Sequence, residues 1–184
     1  MEVDWQPFFL NHNTPAEGED MYEHLAKKYG RSKAEQFTAP DNPLTRAGSK
    51  VGITFNPSRR IIRTEASHRL VEFCKEVAPD KEDMLMEEMF KAYFEQGKDL
   101  SKHEELLACA TASGLDSSSV LEMLESERFR REVSTKARSW SQQGVSGVPF
   151  FVIYPKSGDG QPVAFSGAQP PEVIENVLRE QIEE

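Results

Sequence analysis

GVSGVPFFVIY, residues 144–154, runs from a glycine-punctuated turn through a proline directly into an apolar strand. Proline cannot donate a hydrogen bond to a sheet, so in strands it is confined to edges, first positions and bulges. Pro149 therefore either begins the strand as an ordinary trans residue or shapes a specialised loop in front of it. The rest of the chain decides between these two interpretations.

The residues after this stretch indicate a β-hairpin and a closing helix. The strand PFFVIY is followed by a turn rich in Gly, Ser and Asp (PKSGDGQ, 155–161) and by a returning strand (PVAFSG, 162–167). The last segment, AQPPEVIENVLREQIEE, has prolines at its first positions, where a helix tolerates them best.

The N-terminal segment alternates in a way that predicts a strand. Val3 and Trp5 fall on one face, and acidic or amide side chains fall on the other. Pro7 restricts this strand to the edge of a sheet.

Between this strand and the hairpin the pattern is mostly helical. MYEHLAKKYG (21–30) ends at a glycine, TEASHRLVEFCKEVA (64–78) has an apolar stripe, and SKHE (101–104) matches a capping box at the start of a further helix. The predicted order is strand, several helices, β-hairpin and helix, which is that of an α/β protein with a helical block between its β elements.

Composition excludes several classes of function. The chain has 184 residues, with 31 acidic and 22 basic side chains and a formal net charge of −9. A general nucleic-acid binder would carry a basic stripe, and a membrane span would need about 18 consecutive apolar residues. We therefore expect no nucleic acid and no membrane among its partners. The start of the chain has no secretory signal pattern, and the two cysteines form no disulfide framework, so we expect a cytoplasmic location.

Five blocks of the sequence resemble one family in order and spacing. They are VDWQPFFLN, TEASHRL, MFKAYFEQGKDL, GVSGVPFFVI and FSGAQPPEVIENVL, and they span essentially the whole chain. By these blocks the chain resembles the DsbA-like thioredoxin-fold proteins of the FrnE type. The resemblance implies an α/β fold with a thioredoxin-like core and an inserted helical block. We expect the core to comprise residues 1–15 and 140–184, and the linker and helical subdomain to comprise residues 16–139.

The resemblance also implies a substrate site. Members of the family are typically thiol–disulfide oxidoreductases, and the counterpart of Pro149 is a cis-proline beside the active-site cysteines. A cis Val148–Pro149 bond would offer the backbone of Val148 to a thiol or disulfide peptide, or to glutathione. In relatives that bind glutathione, the region matching Gly167, Ala168 and Gln169 contacts the tripeptide. A helix N-terminus can bind an anion there, but it can equally be an ordinary helix cap.

The chain departs from the family pattern in one important respect. It contains no Cys-x-x-Cys motif, and the strand and helix that carry this motif in the family are absent. A dithiol works because its first cysteine ionises at a helix N-terminus and its second resolves the mixed disulfide. We therefore expect no catalytic residue in these 184 residues. The sequence is interpreted as a truncated form, a gene-model fragment or a degenerate paralogue, and its interrupted sheet allows a homodimer.

Three functions are consistent with these features. The first is a DsbA-like thiol–disulfide oxidoreductase that is inactive as this chain. The second is a non-catalytic thioredoxin-like module that binds peptides or glutathione. The third is a glutathione-dependent transferase or isomerase of the kappa or chromene-carboxylate type. No cofactor is expected apart from glutathione.

The remaining reactive side chains have structural interpretations. Cys74 shares an apolar stripe with Leu70 and Val77, so a buried thiol is predicted, and the same holds for Cys109. The four histidines, His12, His24, His68 and His103, show no ligand spacing, and no metal site is predicted. The basic cluster of Arg59, Arg60 and Arg63 could meet a substrate carboxylate, although such clusters are more often solvated.

Overall fold

The computed structural model describes residues 2–156 and 160–183. In the described residues the chain forms nine α-helices and one two-stranded sheet. They are α1 (Met21–Tyr29), α2 (Arg31–Thr38), α3 (Pro43–Ser49), α4 (Glu65–Val77), α5 (Glu82–Phe90), α6 (His103–Ala112), α7 (Ser117–Glu125), α8 (Arg130–Gln142), β1 (Phe150–Ile153), β2 (Val163–Ser166) and α9 (Pro171–Glu183). A 3₁₀ turn (Pro79–Lys81) precedes α5, and a π-helical turn (Lys91–Glu95) extends it.

Local sequence signals position several of these helices. Asp20 caps α1 by accepting a hydrogen bond from the Glu23 N–H at 3.0 Å, and Gly30 ends the helix with a φ of 87°. Asp116 caps α7 in the same way through the Ser119 N–H at 2.9 Å. These short polar residues satisfy N–H groups that the first turn of a helix leaves free.

The hydrophobic core lies within the helical block. α4 packs against α5, α7 and α8 and supplies the largest share of buried side chains. The core includes Leu70, Phe73, Cys74, Leu85, Met89, Leu106, Cys109, Val120, Met123 and Leu124. α4 is therefore the central helix around which the block is built.

A buried arginine ties α4 to the connection between α7 and α8. Arg69 is 2% exposed, and its guanidinium donates to the carbonyls of Met123 (2.8 Å), Ser126 (2.5 Å) and Arg128 (2.8 Å). These carbonyls lie at and beyond the end of α7, where the helix leaves its last C=O groups unpaired. Arg69 thus holds the turn that leads into α8.

The predicted N-terminal strand is wrong. Residues 2–9 form no strand, although the segment is held firmly against α4 and α5. The Trp5 backbone N–H donates to Glu82 Oε1 at 2.9 Å, its indole N–H donates to Asp83 Oδ1 at 2.9 Å, and Lys75 Nζ contacts both Asp4 and the Trp5 carbonyl. The side chains of Glu82 and Lys75 thus bind the backbone N–H and C=O of Trp5, which a neighbouring strand would pair in a sheet. No such strand lies beside this segment in the described residues.

The predicted capping box at residues 101–104 is also wrong. α6 begins at His103 with Lys102 at the N-cap position and no side-chain capping bond. The Ser101 hydroxyl donates instead to Asp99 Oδ1 at 2.6 Å. The carboxylate two residues upstream therefore competes successfully with the helix for this hydroxyl.

The C-terminal part forms the predicted hairpin and closing helix. β1 and β2 pair antiparallel, with Phe150 opposite Ser166 and Ile153 opposite Val163. α9 packs against β1. Part of the predicted turn, residues 157–159, lies outside the described residues.

The division of the chain into a core of residues 1–15 with 140–184 and a helical subdomain of residues 16–139 stays a prediction. No helix in the described part of the chain is long and apolar enough to cross a bilayer.

Candidate functional site

The predicted substrate loop connects α8 to β1. Gly144, with a φ of 91°, turns the chain away from α8, and Val145 is buried and donates its N–H to the Trp140 carbonyl at 3.1 Å. This anchor fixes the start of the loop. Beyond it, Val148 is 52% exposed, and the Val148–Pro149 peptide bond is cis, as the resemblance implies.

The backbone of Val148 is available to a ligand. Neither its N–H nor its C=O makes a hydrogen bond with any of the described residues. A buried backbone pair without partners would be costly, but these groups lie on an exposed loop where water or a ligand satisfies them. Val148 therefore offers one donor and one acceptor at the entrance to β1.

The two predicted parts of the site lie next to each other. The Gly167 N–H donates to the Pro149 carbonyl at 2.8 Å, which joins the end of β2 to the loop before β1. Gly167 has a φ of 84°, a left-handed conformation that glycine adopts without a steric penalty. The structure thus brings Val148, Pro149 and Gly167 together across the hairpin.

The start of α9 is poorly suited to bind an anion. Pro170 and Pro171 have no N–H, the Val173 N–H already donates to the Pro170 carbonyl at 3.0 Å, and Glu172 places a carboxylate in the first turn. Gln169 uses its side-chain amide to donate to the Ser166 carbonyl at 3.1 Å, and Ala168 is exposed. This geometry leaves an anion little to bind at the start of α9, and the roles of Gly167, Ala168 and Gln169 in a site stay predictions.

Both cysteines are buried and protonated. Cys74 is 0% exposed and Cys109 is 5% exposed, which confirms the prediction of structural thiols. Burial, followed by the charges of Glu82 and Asp80, raises the pKa of Cys74 to about 11. Burial, followed by the charges of Glu88 and Glu105, likewise raises the pKa of Cys109 to about 11. Both thiols are free and lack the low pKa of a redox-active cysteine.

His68 has a structural role on α4. Its Nε2–H donates to the Phe8 carbonyl at 3.2 Å, and its ring packs edge-on against Phe9 at a centroid distance of 5.5 Å. Burial lowers the pKa of His68 to about 4, although the bond to Phe8 opposes this change. The ring is therefore neutral near pH 7 and helps to fasten the N-terminal segment to α4.

The three arginines of the basic cluster donate hydrogen bonds to backbone carbonyls. Arg63 donates to the Thr14 carbonyl at 2.7 Å, Arg60 to the Gly18 carbonyl at 3.3 Å, and Arg59 to the Asn56 carbonyl at 2.9 Å. These contacts fix the long connection before α4. Arg60 and Arg63 remain exposed and Arg59 is half-buried, so the three arginines fix the loop while much of the cluster stays solvated, as expected.

A charged cavity outside the loop is lined mainly by α4, α8 and the N-terminal segment. It has a volume of about 340 Å³, and its lining includes Asp4, Glu72, Lys75 and Lys136. Glu72 is 4% exposed, and its Oε2 accepts from Lys136 Nζ at 2.5 Å. Lys75 and Lys136 thus compensate the negative charge of the buried Glu72 carboxylate.

In residues 2–156 and 160–183 no group of three or more His, Cys, Asp or Glu side chains is arranged to hold a metal ion.

Comparisons with known proteins agree on the fold. A family model described as the DSBA-like thioredoxin domain matches residues 1–179. The structure is similar to that of a probable DsbA oxidoreductase from Streptomyces coelicolor, with a TM-score of 0.78 and 24% sequence identity. The alignment covers 95% of this chain and 72% of that chain. No curated protein matches significantly in sequence. The predicted fold class, a partial thioredoxin-like core with an inserted helical block, is confirmed.

Proposed function

The chain belongs to the DSBA-like thioredoxin domain family, and from this premise we propose that its 184 residues bind the substrate of a thiol–disulfide exchange without carrying out the exchange themselves. The five sequence blocks that resemble FrnE-type proteins support placing it within that branch of the family. The proposed substrate is a cysteine-containing peptide in an extended conformation.

One observation carries this proposal: the unpaired N–H and C=O of Val148 on an exposed loop. A donor and an acceptor on the same residue match the backbone of an extended peptide, which presents the same two groups. Because main-chain bonds are indifferent to side-chain identity, such a site accepts many peptides.

The two thiols support the absence of exchange chemistry. Thiolate is the nucleophile in disulfide exchange, and a thiol with a pKa of about 11 is almost entirely protonated at neutral pH. Cys74 and Cys109 also lie inside the helical core, away from solvent. Exchange by the family's route would need a dithiol that these residues do not contain.

A peptide fits the site better than glutathione does. Glutathione carries two carboxylates, and the prolines and Glu172 at the start of α9 leave little there to bind them. The glutathione-dependent functions named above rank below peptide binding for this reason.

The first test is an insulin-reduction assay on this chain with dithiothreitol as reductant. We expect no acceleration over the uncatalysed rate, because the chain has no accessible thiolate. Robust turnover would refute the assignment of both cysteines to structural roles.

The second test is a titration followed by backbone N–H correlation spectra. The probes are reduced insulin B chain and reduced glutathione, added separately. We expect the B chain to shift the signals of Val148, Phe150 and Gly167, and glutathione to have a much smaller effect. Val148→Pro removes one donor and is expected to weaken B-chain binding about fivefold, the equivalent of one hydrogen bond of about 1 kcal/mol.

Ser146→Pro is the matched control, since it makes the same substitution in the same loop two residues earlier. It is expected to leave B-chain affinity within about twofold of the parent value. Equal losses in the two variants would mean that the loop's flexibility, rather than the Val148 N–H, governs binding.

A further inference from the structure

The turn between α1 and α2 concentrates positive charge in an acidic chain. Residues 27–33, KKYGRSK, contain four basic side chains and no acidic one, whereas the rest of the chain contains 18 basic and 31 acidic side chains, a net charge of −13. Lys27 pairs with Glu19 at 3.2 Å. Lys28, Arg31 and Lys33 are exposed and lie in no ion pair with any of the described residues.

Two of these cations occupy positions that are unfavourable for the helix that carries them. Lys28 lies in the last turn of α1, where the negative end of the helix dipole favours a cation. Arg31 and Lys33 lie in the first turn of α2, at the positive end of its dipole, and that turn has no acidic residue and no capping side chain. Helix stability therefore does not explain Arg31 and Lys33, whereas a bound anion would offset their repulsion from the dipole.

Two aromatic rings lie beside these cations. Tyr29 and Phe37 are each nearly half exposed, and their rings meet edge to face with centroids 5.8 Å apart. Lys28 Nζ lies 5.2 Å from the centroid of the Tyr29 ring, and Lys33 lies one helical turn before Phe37, on the same face of α2. Single apolar side chains are common on protein surfaces, but contacting aromatic side chains with an arginine nearby are typical of protein interfaces.

The fold holds this surface in place before any partner binds. α1 and α2 pack mainly on each other, with Ala34 fully buried. At the base of α1, Glu19 and Ile61 exchange two backbone hydrogen bonds of 2.8 and 2.9 Å. A partner therefore does not have to order this surface when it binds, which favours affinity.

The charge distribution favours a short acidic segment over other anionic partners. A nucleic acid or an anionic membrane is an extended polyanion, so it would also face the remainder of the chain with its net charge of −13. Two copies of this chain joined through this surface would place like charges opposite each other. A short acidic segment has to contact only the three cations and the two rings.

We propose that Lys28, Tyr29, Arg31, Lys33 and Phe37 form a docking surface, the α1–α2 patch, for an acidic segment of a partner protein. Carboxylates of that segment pair with the three cations, and an apolar side chain among them packs on the two rings. The α1–α2 patch shares no residue with the loop before β1, so this inference goes beyond the proposed function and does not depend on it.

The probe is a fluorescein-labelled peptide in which aspartates and glutamates flank a central leucine, and it contains no cysteine. Fluorescence anisotropy measures its affinity for the whole chain. We expect saturable binding that weakens at least about tenfold as the salt concentration rises from about 0.01 M to about 1 M, because the Debye length falls from about 30 Å to about 3 Å. Absence of saturable binding at low salt would overturn the proposal.

The decisive variant combines Lys28→Gln, Arg31→Gln and Lys33→Gln. We expect it to bind the peptide at least about tenfold more weakly, because each exposed ion pair contributes up to a few-fold in affinity.

The matched control combines Lys91→Gln, Lys102→Gln and Arg138→Gln. These three cations are also exposed and lie in no ion pair with the described residues, so the net charge changes by the same amount. We expect the control to bind within about twofold of the parent chain. Equal weakening by the two triple variants would mean that net charge governs binding, and would refute the α1–α2 patch.

The double variant Arg31→Glu with Lys33→Glu separates docking from folding. Carboxylates in the first turn of α2 stabilise the helix, so exchange of the Phe37 and Thr38 amides with solvent should slow while peptide binding is lost. Faster exchange together with lost binding would mean that the two cations hold α2 together, and would contradict a docking role.

Phe37→Ala tests the contact between the rings and the apolar side chain. We expect this variant to weaken binding of the leucine peptide about fivefold, and to change binding of the same peptide with a central glycine by less than about twofold. Equal effects on the two peptides would refute apolar packing on the rings.

Other anionic partners are tested in the same format, with a short single-stranded oligonucleotide and with vesicles that contain phosphatidylserine. Tighter binding of either than of the peptide would refute a protein partner. Val148→Pro should leave the affinity for the acidic peptide within about twofold of the parent value, and a larger loss would place that peptide at the loop. The α1–α2 patch and the proposed function can therefore fail separately.

Discussion

The inertness of the two thiols can be measured through their reaction with Ellman's reagent. Only the thiolate reacts, and burial raises the pKa of each cysteine from 9.0 to about 11. At pH 8 this lowers the thiolate fraction from about 9% to about 0.1%, a decrease of roughly 90-fold. Because Cys74 and Cys109 are almost fully buried, restricted access slows the reaction further.

We therefore expect the native chain to release thionitrobenzoate at least about 100 times more slowly than the same chain in urea, where both thiols react. A chain carrying Ser146→Cys provides the matched control, since Ser146 lies in the exposed loop and its thiol should react at the rate of an ordinary cysteine. One native thiol reacting as fast as in urea would refute the assignment of that cysteine to the core. Cys74→Ala and Cys109→Ala would then identify it.

Three further measurements test the same structure. The free energy of unfolding should fall as pH rises from about 9.0 towards 11, because the unfolded chain releases the thiol protons first, and the loss should be smaller in Cys74→Ala. It should also fall as pH decreases from 6.5 towards 4, because the unfolded chain protonates His68 more readily than the folded chain does; His68→Gln, followed by urea titration, should flatten this part of the profile. Arg69→Leu leaves the Ser126 and Arg128 carbonyls without their donor, while the Met123 carbonyl keeps the Ser126 hydroxyl at 2.7 Å, and should cost at least about 2 kcal/mol in urea unfolding, whereas Arg69→Lys should recover part of the loss; a cost below about 1 kcal/mol would contradict the role of Arg69.

Local signals in the sequence predicted local structure well. Gly30 ends α1 as predicted, because a helix cap needs only residues within a few positions of itself; the cap at Asp20 was not predicted, although its residue type is one that favours that position. The capping box at Ser101 failed for an equally local reason, since Asp99 offers the hydroxyl a nearer acceptor.

Long-range partners limited the prediction elsewhere. Alternation around Trp5 predicts a strand, but a strand needs a neighbour, and in this chain Glu82 and Asp83 bind the tryptophan instead. These contacts join residues 77 and 78 positions apart, which no local pattern specifies. The role of Arg69 was missed for the same reason, because the carbonyls it binds belong to another helix and its turn.

The candidate site was predicted from the resemblance rather than from physical chemistry. The family blocks indicated Val148, Pro149 and Gly167, and the structure brings these three residues together. The contact between the Gln169 side chain and the Ser166 carbonyl could not be predicted, because it depends on how the chain turns between β2 and α9.

The bond from the Gly167 N–H to the Pro149 carbonyl has a practical consequence for spectroscopy. Glycine amides occupy their own region of a nitrogen–proton correlation spectrum, so the Gly167 signal has to be identified only among those of the chain's 11 glycines. It senses the loop before β1 and the end of β2 at the same time. Its temperature coefficient and its exchange with solvent would therefore show when the loop separates from the hairpin.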